Sequence, residues 1–80
     1  MLDYNKLNYL LDHHDPLGLI AKGAPGFEYK GVALSVLEEL RYGAVTKPML
    51  IKSLENGFID WFNKLPDKDL DSLATAILQT

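Results

Sequence analysis

"EYKGVALSVLEELRY", residues 28 to 42, sets Tyr29, Val32, Ala33, Val36, Leu37 and Leu40 at i, i+3, i+4, i+7, i+8 and i+11. That period is the apolar stripe of an amphipathic helix, so a helix is expected over about residues 28 to 42. Lys30, Glu38, Glu39 and Arg41 fall away from the stripe, and Gly43 follows where a left-handed residue would close the helix. Upstream, Leu7, Leu10, Leu11 and His14 repeat at i, i+3, i+4 and i+7 behind Asp3, a good N-cap, which gives a first helix over residues 3 to 14. It stops at Asp15-Pro16, because proline restricts the residue before it to extended backbone. Residues 17 to 27 hold Gly18, Gly23, Pro25 and Gly26 with no period. A connection this long is packed by its own side chains or functional, and Leu17, Leu19, Ile20 and Phe27 give it the means to pack.

Downstream, Thr46 can cap a third helix that tolerates Pro48 in its first turn, where amides lack intrahelical partners. Ile51, Leu54, Phe58, Trp61, Phe62 and Leu65 form its stripe, with Leu50 and Ile59 lying off it. Residues 47 to 65 would span about 28 Å. Gly57 inside this helix costs roughly 1 kcal/mol relative to alanine, as such a residue does where two helices approach closely. Pro66 and Asp67 restart the chain, and Leu70, Leu73, Ala74, Ile77 and Leu78 make a last helix. There is no run of alternating β-branched residues. The expectation is an all-α single domain over residues 1 to 80: a small three- to four-helix bundle with three long helices, a shorter fourth, and one long loop after the first.

Eighty residues bury only about 60% of the surface their unfolded chain exposes, so the core is thin. No cysteine is present, which excludes disulfides and thiolate metal sites. The chain opens Met-Leu-Asp-Tyr-Asn-Lys, without a basic stretch leading into an apolar run, and no segment approaches 18 consecutive apolar residues. A soluble, cytoplasmic protein with no membrane contact is expected. Eight basic residues, one of them arginine, are spread against eleven acids. Nucleic acid is a poor partner for such a surface, since phosphate binding needs clustered cations. The acids do gather in the last third, at Glu55, Asp60, Asp67, Asp69 and Asp71. They form either a solvated face or a patch for a basic protein.

Three stretches invite chemical readings. His13-His14-Asp15 is the weak metal candidate. Ligands on one helix face stand three or four residues apart, whereas adjacent histidines point about 100° apart, and the chain has no third histidine. His14 is better read as a half-buried ring continuing the Leu7 stripe, with His13 exposed at a helix C-terminus that favours a cation. Gly18 to Gly23 has the first spacing of a P-loop, but Ala24-Pro25 stands where Lys-Ser/Thr belongs. Residues 36 to 58 have the order of a helix-turn-helix, yet only Lys47 and Lys52 present charge where a recognition helix reads bases. No cofactor is implied.

A leucine-rich first helix, the turn Asp15-Pro16-Leu17-Gly18, Glu28-Tyr29 at a helix start and an aromatic third helix together resemble a small helical domain-of-unknown-function family of Gram-positive bacteria, over about residues 7 to 63. The resemblance implies a fold and a bacterial source, with Asp15, Pro16, Gly18, Glu28 and Tyr29 as its signature, and no activity. His14, Phe27 and Val32 depart from that pattern, standing where a tryptophan and two acids belong. On physical grounds Asp15 can cap the following turn through its carboxylate, Tyr29 can bury its ring while its hydroxyl finds a partner, and Glu28 suits a helix N-terminus. The function expected is non-catalytic protein–protein interaction, either self-association as a homodimer or immunity-type binding of a basic partner. Phe58, Ile59 and Trp61 are its anchors, and Asp60, Asp67, Asp69 and Asp71 its charges. The alternative is a metal-dependent hydrolase using His13, His14, Asp15 and Glu28.

Overall fold

The computed structural model describes residues 2–26 and 28–79; Phe27, expected to pack the long loop, lies outside them. Four helices follow in order, α1 (Tyr4–His14), α2 (Lys30–Glu39), α3 (Lys47–Phe62) and α4 (Leu70–Leu78), and the described residues contain no strand. The all-α bundle is therefore the fold. No helix among the described residues is long and apolar enough to cross a membrane.

Three of the four helix starts are fixed by a side-chain cap, while α2 has none. Asp3 accepts from the Lys6 N–H at 3.0 Å, Thr46 from Met49 at 3.4 Å, and Asp69 from Asp71 at 2.9 Å. Such caps satisfy amides that have no partner within the helix. The ends are equally local. Asp15 closes α1 and Asn63 closes α3, both in the left-handed region, so Asp15 leaves the helix as expected before Pro16 but not in the extended backbone expected of it. Asn63 also ends α3 three residues earlier than the apolar period does, because the chain reverses at φ 58°. Leu65 consequently leaves the stripe and is exposed. The second helix is shorter than the expected span of 28 to 42. Tyr29 stands outside helical geometry as its N-cap, Leu40 closes it, and Gly43 turns the chain at φ 87°. Only α3, with 16 residues, is long; the others have 11, 10 and 9, in place of three long helices.

The helices form a ring: α2 packs on α1 and α3, and α4 packs on α3 and α1, with α1 and α3 on the diagonal. Leu7, Leu11, Tyr29, Val32, Val36, Leu50, Leu54, Phe58 and Leu73 fill the centre. The buried line of α3 runs Leu50, Ser53, Leu54, Gly57, Phe58. Leu50 is thus on the stripe, and Ile51 only flanks it. Gly57 does mark a close approach, since a methyl group on it would stand 3.0 Å from Val32 Cγ1. At Gly31, across the same seam, a methyl group would fall inside the indole of Trp61. The seam between α2 and α3 therefore rests on two glycines.

Candidate functional site

The residues joining α1 to α2 converge on one carboxylate. Asp15 leaves α1 at φ 48°, which aims its side chain over the loop that follows. Oδ1 accepts from the Ile20 N–H at 3.0 Å and from the Tyr29 hydroxyl at 2.6 Å, while Oδ2 accepts from the Ala21 N–H at 2.9 Å. The Tyr29 oxygen in turn accepts from the amides of Leu17 at 3.1 Å and Leu19 at 3.5 Å. Both side chains are buried, as is Pro16. The long loop is therefore closed. Leu17, Leu19 and Ile20 pack on the core beneath a hydrogen-bonded knot.

Electrostatics fix where the proton sits. Burial pushes the Asp15 carboxyl up, but hydrogen bonds from Tyr29, Ile20 and Ala21, together with the Lys68 ammonium, outweigh it and hold the group below its usual range. Tyr29 is pushed up to about 12 by burial and by its bond to Asp15. Asp15 is thus the anion and Tyr29 the donor at neutral pH. His14 is lowered by burial, then by His13 and Lys68 nearby. Lys68 also donates to the His14 carbonyl at 3.2 Å, satisfying an end group of α1 from 54 residues away.

This arrangement suits a staple better than a metal centre. Both oxygens of Asp15 are engaged, so ligation would cost the loop its ties. His13 is exposed and stacks on Tyr9 at 6.1 Å, and His14 is half-buried. Glu28 is exposed ahead of the Tyr29 cap, because α2 starts at Lys30 and not at Glu28. Among the described residues no three of His, Cys, Asp and Glu stand close enough to hold an ion.

The three interaction anchors are taken apart by the fold. Phe58 is fully buried against Tyr29 and Phe62, at ring separations of 5.9 and 6.0 Å, so it is core and not an anchor. Ile59 and Trp61 are exposed but stand about 200° apart around α3. Trp61 lies across Gly31, and its indole N–H donates to Ser35 Oγ at 3.0 Å. The small residues Gly31 and Ser35, four apart on α2, are the sign of that seat in the sequence. Two of the four acids are committed locally. Asp69 caps α4, and Asp71 pairs with Lys47 at 2.7 Å, whereas Asp60 and Asp67 make no such tie among the described residues; all four are exposed. Nothing in the local sequence points to Lys68 as the partner of His14, since that tie exists only after α4 closes the ring. No family model, curated protein or solved structure matches the chain.

Proposed function

We propose that the protein is a non-catalytic interaction module that self-associates through the outer face of Trp61. The carrying observation is that this ring is 59% exposed yet already fixed, with Gly31 beneath it and Ser35 holding its N–H. An aromatic group immobilised before binding loses little further entropy when covered, which is how interface anchors gain affinity. The exposed Asp60 and Asp67 support a second occupant of the surface, a basic protein of the immunity-type reading. That support is thinner with Asp69 and Asp71 tied within the chain.

Trp61 is the sole tryptophan, so its emission reports this surface alone. Sedimentation equilibrium across a wide concentration range, with emission read in parallel, tests the proposal. The expected result is a rise in mass with a blue shift, persisting at high salt, and unchanged by Ile59→Lys on the other side of α3. A monomer of constant emission at every concentration overturns self-association. Loss of association in Ile59→Lys moves the interface away from Trp61, and capture of a basic protein that is lost at high salt transfers the function to the acidic reading.

A further inference from the structure

At the end of α2 farthest from the Asp15 knot, Leu37 and Leu40 from the helix, Val45 from the linker and Leu2 from before α1 line a depression of about 390 Å³, with Arg41 and Gly43 at its edge. That volume lies within the roughly 300 to 1,000 Å³ of small-molecule sites. Its composition is specific. Four of its lining side chains are aliphatic, beside polar backbone at the end of α2, and the one charged side chain is the only arginine of the chain. Among the described residues the Arg41 guanidinium has no hydrogen bond or ion pair; Glu38, one turn behind it, does not reach it, and the one salt bridge is Lys47 with Asp71. Arg41 is therefore a planar, permanently charged fork beside this hollow, without a partner among the described residues.

We infer that this depression binds a small amphiphilic monocarboxylate, an unbranched aliphatic acid whose tail lies among Leu2, Leu37, Leu40 and Val45 and whose carboxylate meets Arg41. Two oxygens on one carbon match the two parallel N–H groups of a guanidinium. A single cation neutralises a single negative charge, which favours a carboxylate over a phosphate dianion. The side chains that line it are aliphatic apart from Arg41, so a ligand's apolar tail has Leu2, Leu37, Leu40 and Val45 to lie against. A tail that buries methylene groups gains about 0.8 kcal/mol for each. The inference does not depend on self-association at Trp61.

The test is amide chemical-shift titration of the full chain with octanoate, with octan-1-ol as the same tail without charge, and with acetate as the charge without a tail. Octanoate is expected to shift residues 37 to 45 and Leu2 saturably, octan-1-ol to bind about tenfold more weakly, and acetate to leave the spectrum unchanged, since a charge-assisted pair contributes about 1.5 kcal/mol or more. Arg41→Gln, a change at an exposed side chain outside the helices, should bring octanoate down to the affinity of octan-1-ol and leave the latter unaltered. Equal binding of octanoate and octan-1-ol by the parent chain would reduce the site to a nonspecific apolar hollow and overturn the inference. So would shifts that are absent, that never saturate, or that centre on other residues.

Discussion

The second helix is held on its two sides by opposite means. Toward α1 the tie is polar: one carboxylate, one phenol and four backbone amides, each bond directional and each group buried or half-buried. Toward α3 it is steric: Gly57 admits Val32, and Gly31 admits the Trp61 ring. The first depends on the protonation of Asp15 and Tyr29, and the second depends mainly on volume, with a single neutral hydrogen bond from Trp61 to Ser35 beside it. A domain with a thin core can thus secure one helix by hydrogen bonds where the chain must turn, and by close packing where two helices run together.

The largest separation between the two junctions should come from Asp15→Ala. It leaves the Ile20 and Ala21 amides and the Tyr29 hydroxyl without their acceptor, for a loss on the order of 3 kcal/mol in urea unfolding. The same variant should flatten the acid limb of the stability profile. Asp15 sits below its ordinary value of 3.8 in the fold, so its contribution is complete above that pH and lost as pH falls through the lower folded value. Tyr29 has the opposite sign, its contribution being complete below pH 10 and lost as pH rises toward about 12. A parent-like acid limb in Asp15→Ala would mean that the knot is not what titrates.

A smaller effect, indifferent to pH, is expected from Gly31→Ala. The added methyl must displace the Trp61 ring, at about 1 to 3 kcal/mol. In a Trp61→Ala background the same change should cost almost nothing, because the clash has been removed. Additive losses in the double variant would show that Gly31 is needed for some other reason. The smallest effect belongs to neither junction. Lys47→Ala removes a pair with Asp71 that is exposed on both sides, and should change stability by less than about 1 kcal/mol, with even that gone at high salt. A larger loss would place a third strong tie at the start of α4.

The two junctions are not equally legible in the sequence. Asp15-Pro16 announces a turn and Tyr29 an aromatic in need of a partner, so capping and burial on the polar side can be read from the residues alone. The two side chains lie 14 residues apart, however, and only the loop path brings them to 2.6 Å. On the steric side Gly57 signals close approach, while the true stripe of α3 stays hidden because Ser53 and Gly57 occupy two of its positions. A pattern built from large apolar residues passes over small ones and shifts the stripe to Ile51 and Trp61. Phe58 falls on the expected stripe and is also read as an anchor for a related reason: residues 58 to 62 are nearly all apolar, and periodicity cannot say which of them faces inward.

Tyr29 belongs to both junctions at once. Its hydroxyl completes the knot, while its ring stands 5.9 Å from both Phe58 and Phe62 on α3. The loop therefore has no private route to opening. Releasing the amides of Leu17 and Leu19 means withdrawing a ring that α3 has already enclosed, so this part of the segment between α1 and α2 shares the cooperative fate of the core and does not fray as surface loops do. In hydrogen exchange, the amides of Leu17 and Leu19 would be counted with the last to open.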